Sequence, residues 1–262
     1  MLKRWVGVVL VGLLVLCAAS PARATTVGFF GAANAAGAIT ADGFTAVALN
    51  NLTAANLVGL DVLWIFNPNN GAPSATITNN QAAINAFVLA GGVLSFDDRN
   101  VNQGVSAATY LPGGGGINFT NLFGANIDIS TPGTLVTNGP GGVITNTNLD
   151  GGNFSNHGYA LLASLPAGAI PILNNGDPTH IVDFTYGFGQ GAVYYSTIPL
   201  DFYLSPSGNN PPADAFRNIY ARNEVAYQAS LATHVPEPAS LILIGTGLLG
   251  LARNRKRFGI RR

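Results

Sequence analysis

Buried strands alternate with a helix between residues 61 and 96, and this order constrains the fold more than any other feature. Residues 61–66 are one aspartate followed by a continuous apolar run, which is typical of a parallel strand covered on both faces. Residues 80–90 carry apolar side chains at helical spacing, and the glycine pair 91–92 ends that helix. Residues 93–96 return to an apolar strand. The pattern predicts an α/β fold with an open, mainly parallel, Rossmann-like sheet.

The rest of residues 25–232 predicts further short elements of one domain. Further strands are expected at residues 26–32, 44–49, 169–173, 180–186 and 192–198, the last two as a hairpin. Further helices are expected at residues 54–58, 158–164 and 214–231, and a loop at 67–80. Residues 101–152 are rich in Gly, Asn and Thr, which predicts an irregular β and loop insertion. We expect it over the carboxyl ends of the strands, where open α/β folds bind their ligands.

The last 28 residues have a three-part layout. Residues 233–238 form a linker that contains Val235, Pro236, Glu237 and Pro238, and its prolines oppose an early helix start. Residues 239–252 are apolar and predict a transmembrane anchor helix, roughly 21 Å long at 1.5 Å per residue. Residues 253–262 are the basic cytoplasmic tail, whose cations can snorkel and lengthen the span. These cations are Arg253, Arg255, Lys256, Arg257, Arg261 and Arg262. The alternative is a buried C-terminal helix of a soluble domain, which six cations directly after the apolar run disfavour.

This layout resembles the PEP-CTERM sorting signal of exopolysaccharide-producing Gram-negative bacteria. The resemblance implies recognition and processing by a membrane exosortase at the Pro-Glu-Pro motif. It implies anchoring in the inner membrane before processing, and a place at the cell surface or in the extracellular matrix afterwards. Extracellular polysaccharide is then an expected partner.

The first 24 residues read as a secretory signal peptide that forms an N-terminal signal helix. Lys3 and Arg4 precede an apolar stretch, and Ala22 and Ala24 fit the small-x-small cleavage pattern. This predicts the Sec export machinery as a partner. A lipoprotein is the alternative, because Cys17 is the only cysteine, but a leucine precedes it where a small residue is expected. Cleavage after Ala24 leaves a mature chain without disulfides or thiol chemistry.

Subtracting both ends exposes an acidic body. Residues 25–234 contain three arginines, no lysine and eleven aspartates and glutamates, so their net charge is three minus eleven, or −8. Nucleic-acid binding needs a basic footprint, which this body lacks. A negative surface rich in neutral polar groups suits a soluble exported protein.

The body also resembles the class I glutamine amidotransferase-like superfamily. The resemblance is carried by residues 60–65 and 84–94, by the glycine turn and strand at 187–195, and by the closing helix at 222–227. Enzymes of that superfamily use a cysteine nucleophile on a tight turn, and the mature chain has no cysteine. No Gly-x-Ser-x-Gly motif replaces it. The resemblance therefore implies a non-catalytic relative on the same scaffold.

Four residues are candidates for a ligand site. Asp97 and Asp98 end a predicted strand, where two carboxylates suit acid–base work or a metal. Adjacent strand residues point to opposite faces, so the alternative is one solvated aspartate and an Asp–Arg pair that holds the loop. Asp150 lies in the insertion and His157 just after it, and a pairing of His157 with Asp150 is expected.

Calcium is the one cofactor that the pattern suggests. Asn146, Asn148 and Asp150 alternate as oxygen ligands before a glycine, like the first half of a calcium loop. The twelfth position is His157 instead of the bidentate glutamate, so an Asn-Gly-rich turn without metal is the alternative. The aromatic residues form a second candidate surface, either for stacking sugars or as core. They are Trp64, Tyr186, Phe188, Tyr194, Tyr195, Phe202 and Tyr203.

We expect an exported envelope or exopolysaccharide-matrix protein whose body is a non-enzymatic binding or structural module. One alternative is a secreted hydrolase of glycans or peptides that uses Asp97, Asp98 and His157. The other is a calcium-dependent carbohydrate-binding module.

Overall fold

The computed structural model describes residues 24–232 except 69, 103–105, 153, 207 and 209–211. Residues Ala24–Thr233 form one compact unit. The leader with Ala22, the linker with Val235 to Pro238, the apolar anchor and the basic tail lie outside the described residues.

The described residues form twelve strands. They are β1 Thr26–Phe30, β2 Thr45–Ala48, β3 Val62–Asn67, β4 Val93–Asp98, β5 Phe119–Gly124, β6 Asp128–Ile129, β7 Asn138–Gly139, β8 Gly142–Val143, β9 Asn156–Leu161, β10 Ile170–Asn174, β11 His180–Phe188 and β12 Gly191–Ser196. The α-helices are α1 Ala35–Ala41, α2 Ala54–Leu57, α3 Ala75–Asn79, α4 Gln81–Leu89, α5 Leu200–Leu204, α6 Ala213–Ala215 and α7 Ala221–Leu231. Short 3-10 turns lie at Ala107–Thr109 and Leu162–Ser164, and a π-helical turn at Phe216–Tyr220 joins α6 to α7.

Ten strands form one mixed sheet. Its first half is parallel, in the order β2-β1-β3-β4-β12. Its second half is antiparallel, because a tight hairpin joins β11 to β12, and β11 also pairs with β10 and β9. The α/β class and the hairpin are confirmed, and the parallel arrangement holds for five strands.

Two hydrophobic cores cover the two faces of the sheet. One packs α1, the π-helical turn and α7 against Trp64, Phe66 and Tyr194. The other packs α2, α3 and α4 against Leu63, Ile65 and their neighbours. Among the described residues, the buried side chains of both cores lie between positions 27 and 227 and form the interior of one α/β layer structure.

The insertion differs from its predicted place. Instead of lying only over the carboxyl ends of the strands, residues 101–152 add strands to the sheet. The strand β5 pairs with β9, and β6 pairs with β10. The hairpin of β7 and β8 packs on α7, where the amide of Asn223 donates to the carbonyl oxygens of Val136 and Gly142.

Two local predictions are wrong. The predicted helix at 158–164 is the strand β9 followed by one 3-10 turn, because non-local pairing with β5 and β11 overrides its local helical pattern. The backbone of Gly158 lies so close to β5 that a Cβ there would stand 2.3 Å from the carbonyl oxygen of Thr120. The predicted loop at 67–80 contains the one-turn helix α3, whose Ile77 is buried.

Candidate functional site

An aromatic cleft of about 220 Å³ lies at the carboxyl edge of the parallel strands. Asn70, Arg99 and Pro199 follow the ends of β3, β4 and β12, which is where open α/β folds place ligands. The insertion and β9 complete the cleft from the antiparallel side. The lining residues are Asn70, Arg99, Phe123, Phe154, His157, Pro199, Phe202 and Tyr203.

Phe123 and Phe154 give the cleft an exposed apolar wall. Their ring centroids are 4.9 Å apart, and the side chains remain 37% and 50% exposed. Phe154 has a φ of 118°, a strained conformation for an aromatic residue. Strain of this kind persists only where surrounding structure imposes it, and it is common at ligand sites. The fold therefore holds an apolar ring towards solvent at a backbone cost.

His157 lies at the floor of the cleft with a fixed ring. His157 is 3% exposed, and its ring centroid is 4.5 Å from that of Phe123. Nδ1 is 3.0 Å from the carbonyl oxygen of Arg99, so Nδ1 carries the proton and donates it. Burial lowers the pKa of His157 from 6.5 to about 4, so the ring is neutral at physiological pH. The expected pairing of His157 with Asp150 is replaced by this bond to the backbone.

Arg99 is the one cation among the described lining residues, and a carboxylate balances it. Its Nη1 donates to Oδ2 of Asp201 at 3.0 Å and to the carbonyl oxygen of Pro68 at 3.1 Å. The guanidinium also stands over the ring of Phe202 at 5.9 Å. The arginine therefore pairs with Asp201 on α5 and not with its sequence neighbours Asp97 and Asp98.

Asp97 belongs to a buried carboxyl cluster on the α7 face of the sheet. Its Oδ2 accepts a 2.6 Å hydrogen bond from Nε1 of Trp64, and Glu224 is its carboxyl neighbour. Glu224 accepts from Ser95 and from Gln228, at 3.0 and 2.6 Å. All these side chains are buried. Asp97 therefore lies in the core on the α7 face of the sheet and does not line the cleft.

Asp183 is the third buried carboxyl of this cluster. The hydroxyls of Tyr194 and Tyr220 donate to its Oδ2 at 2.9 and 2.8 Å. Burial raises the pKa of Asp183 to about 6. Burial and the charge of Asp183 raise the pKa of Glu224 to about 8, and burial together with Glu224 raises the pKa of Asp97 well above its usual range. The Asp97–Glu224 pair consequently holds a proton at neutral pH.

Asp98 points to the opposite face, as expected for the strand neighbour of Asp97. Its Oδ1 accepts from the side chain of Asn67 and the backbone of Asn100, each at 2.9 Å. Its Oδ2 accepts from the hydroxyls of Tyr110 and Tyr195, at 2.7 and 2.9 Å. Four donors occupy the carboxylate of Asp98, and both aspartates are buried, so neither is the solvated aspartate of the alternative prediction.

The calcium candidates bind backbone amides. The side-chain oxygens of Asn146, Asn148 and Asp150 accept from the amides of Ile129, Thr145 and Ile127, at 2.9, 3.0 and 2.7 Å. The bonds of Asn146 and Asp150 tie this turn to β6 and the residue before it, and the bond of Asn148 closes the turn on itself. Within the described part of the chain, no group of three or more His, Cys, Asp or Glu side chains is placed to hold a metal ion.

Sequence reasoning found part of the cleft. Phe202 and Tyr203 line it, whereas Trp64, Tyr194 and Tyr195 of the same predicted aromatic surface are core. It missed Phe123 and Phe154, which no local pattern distinguishes from core aromatics. Phe154 follows an Asn-rich turn, and its exposure is apparent only from the structure.

The comparisons with known proteins identify the tail and the fold. Residues 234–256 match the PEP-CTERM protein-sorting motif. The motif supports sorting by an exosortase system, and it implies an exported protein that is transiently anchored in the membrane. The matched range contains the predicted motif from Val235 to Pro238 and the first cations of the basic tail. No curated protein matches the sequence.

Two solved structures share the fold of the body. Cytoplasmic Protein STM1381 from Salmonella typhimurium LT2 is 11% identical, with a TM-score of 0.56 over 80% of this chain and 100% of that one. Cytoplasmic Protein STM3548 from Salmonella typhimurium is 12% identical, with a TM-score of 0.55 over 79% and 99%. A cold-adapted beta-galactosidase from Rahnella sp. R3 aligns over 82% of this chain and 33% of its own, at 14% identity and a TM-score of 0.44. At these identities the likeness shows the fold alone. The resemblance to the amidotransferase-like superfamily stays a prediction, since neither the motif nor the fold likeness tests it.

In the segments that the structure describes, no helix combines the length and apolar character needed to cross a membrane. The predicted anchor at residues 239–252 lies outside those segments.

Proposed function

We propose that this chain is an exported envelope or exopolysaccharide-matrix protein whose body binds carbohydrate in the aromatic cleft without catalysing a reaction. The observation that carries the proposal is the cleft itself: an exposed Phe123–Phe154 wall with a few fixed polar groups at its floor. Apolar walls with few convergent polar groups are the usual make-up of ligand pockets. A sugar ring offers a CH-rich face for the wall and hydroxyls for the floor.

The sorting motif supports a ligand outside the cell. Export through an exosortase system brings the body to the envelope, where polysaccharide is the abundant polymer with such rings. The net charge of −8 between residues 25 and 234 keeps the body soluble in a hydrated matrix and opposes binding to nucleic acid.

The lining chemistry favours binding over hydrolysis. Glycosidases generally use a pair of carboxyl groups on either side of the bond that they break. None of the eight described lining residues carries a carboxylate. Asp97 and Asp98 are occupied in the core, so the hydrolase alternative has no pair of acids at this cleft. The calcium-dependent alternative stays a prediction for Asn146, Asn148 and Asp150.

The experiment is retention of the purified chain on immobilised exopolysaccharide from its host. We expect the wild-type protein to be retained. The Phe154→Ala variant should bind with an affinity at least tenfold lower and therefore elute earlier. Val58→Ala is the matched control, because Val58 is 80% exposed on the α2 side and away from the cleft residues. Equal retention of wild type and Phe154→Ala, or release of reducing ends from the matrix, contradicts the proposal.

A further inference from the structure

The cleft carries a hydrogen-bonding signature that limits which sugar it accepts. We propose that His157 selects a neutral, hydroxyl-bearing pyranose ring, with Nε2 accepting a hydroxyl proton while the CH face of the ring rests on Phe154. This inference rests on the proposed function and specifies its ligand class.

The geometry of His157 defines the acceptor. Nδ1 donates to the carbonyl oxygen of Arg99, which fixes the proton on that nitrogen. Nε2 then carries a lone pair. No described residue bonds to it, and the ring lines the cleft beside Phe123. A cleft that offers an acceptor requires a donor from the ligand, and a sugar hydroxyl supplies one.

The charge balance of the cleft favours a neutral ring. Arg99 is paired with Asp201 at 3.0 Å, so its charge is satisfied inside the protein. A carboxylate on the ligand would have to compete with Asp201 for the guanidinium, inside a body of net charge −8. A lone-pair acceptor at Nε2 also repels a carboxylate oxygen.

The size of the cleft limits the ligand to one ring. Its volume of about 220 Å³ is smaller than the roughly 300–1,000 Å³ of pockets for drug-sized ligands. A terminal or side-chain sugar therefore suits it better than an internal stretch of polymer.

Burial supports the acceptor role over a wide pH range. The side chain is desolvated, and this lowers the pKa of His157 to about 4. The ring therefore keeps its lone pair on Nε2 at the pH of the envelope.

The test pairs two substitutions with two ligand classes, using the full-length chain in detergent micelles. His157→Asn keeps an amide donor at the Nδ1 position and removes the cleft acceptor, whereas His157→Gln keeps an acceptor at the Nε2 position. The probes are the methyl glycosides of glucose, galactose and mannose, and those of glucuronic and galacturonic acid. Saturation-transfer NMR measures their dissociation constants.

We expect at least one neutral glycoside to bind wild type about tenfold more tightly than its uronic acid counterpart. Such a ratio corresponds to about 1.4 kcal/mol, the scale of one hydrogen bond to a fixed partner. His157→Asn should lose about tenfold, and His157→Gln should stay within about threefold of wild type. Equal or tighter binding of the uronic acids, or unchanged binding by His157→Asn, overturns the selection of neutral rings but leaves carbohydrate binding intact. Failure of every glycoside to bind, together with loss of retention on the polysaccharide, overturns the proposed function as well.

Nitrogen-15 NMR of the imidazole gives a readout that does not depend on folding of the variants. The structure predicts the Nδ1–H tautomer for His157 and an upfield shift of its Nε2 resonance on addition of the neutral glycoside. A proton on Nε2 in the free protein, or an Nε2 resonance unmoved at saturating glycoside, contradicts the inference.

Discussion

At the residue scale, Glu224 links the buried carboxyl cluster to the pH dependence of stability. In the unfolded chain its pKa is about 4.5, and in the folded protein it is about 8. The unfolded state releases the proton first as pH rises, so the free energy of unfolding falls between these values and levels off above pH 8. His157 acts in the opposite direction, because its pKa falls from 6.5 to about 4 and stability is lost as pH drops through that interval. The two effects on the free energy of unfolding oppose each other below pH 6.5. Between pH 6.5 and 8 the pH dependence comes from the carboxyl cluster alone.

We therefore predict a decrease of the free energy of unfolding by roughly 2 kcal/mol between pH 6.5 and 8, at about 1.36 kcal/mol per pH unit for one proton. Glu224→Gln retains an oxygen acceptor for Ser95 and Gln228 but cannot ionise. Its stability should be nearly constant over this interval in urea titrations. A slope in the variant equal to that of wild type would show that Glu224 is not the group that titrates.

Asp98 is the second residue with a measurable consequence. Four donors converge on its carboxylate, from Asn67 at the end of β3, from Asn100 after β4, from Tyr110 and from Tyr195 on β12. An asparagine in its place would turn one acceptor oxygen into a donor group that faces donors. We expect Asp98→Asn to lower the free energy of unfolding by about 3 kcal/mol. The control is Asp177→Asn in an exposed turn, where a much smaller change than at Asp98 is expected. A similar loss in both variants would contradict the structural role of Asp98.

At the element scale, the β11–β12 hairpin fixes the place where the parallel half of the sheet becomes antiparallel. Gly191 begins β12 so close to the α4–β4 turn that a Cβ there would lie 2.0 Å from the carbonyl oxygen of Gly92. Gly187 on β11 has open space around it. We expect Gly191→Ala to lower the melting temperature by several degrees and the free energy of unfolding by about 2 kcal/mol or more, and Gly187→Ala to change it by less than about 0.5 kcal/mol. Equal effects of the two substitutions in thermal unfolding would refute the close approach.

The sequence was informative for elements whose signal is local. The strand at 61–66, the helix at 80–90 and the hairpin at 180–198 were predicted because burial periodicity and glycine turns lie within each segment. The strand β9 was missed because its partners β5 and β11 are distant in sequence. The π-helical turn at Phe216–Tyr220 also has no local signature, although it aligns Tyr220 with Asp183.

The cleft could be predicted only in part for the same reason. His157 and the strand-end position of residues 97–99 were read from the chain, because strand ends are where α/β sites form. The roles of the individual residues depend on the direction in which each side chain points, which the sequence does not give. Asp97 and Asp98 point into the two cores, and Arg99 takes a partner a hundred residues away, at Asp201.

At the scale of the whole molecule, the sorting motif and the proposed binding site lie in separate parts of the chain. The sorting motif occupies residues 234–256, and the cleft belongs to the compact unit Ala24–Thr233. We predict that deletion of residues 236–238 leaves unprocessed protein in the inner-membrane fraction and leaves the melting temperature of the body within about 1 °C of wild type. Phe154→Ala is the complementary control, since it should be sorted normally and fail to bind polysaccharide. Normal release of the deletion variant would contradict the sorting role of the motif.

The most direct measurement of the central claim is an NMR titration of the isotope-labelled chain with oligosaccharides released from the host exopolysaccharide. Carbohydrate binding in the aromatic cleft predicts saturable shifts at Arg99, Phe123, Phe154, His157 and Phe202, with resonances of the β7–β8 hairpin and of α2 unchanged. Saturable shifts confined to another surface, or no shifts at concentrations that saturate retention on the polymer, would contradict it.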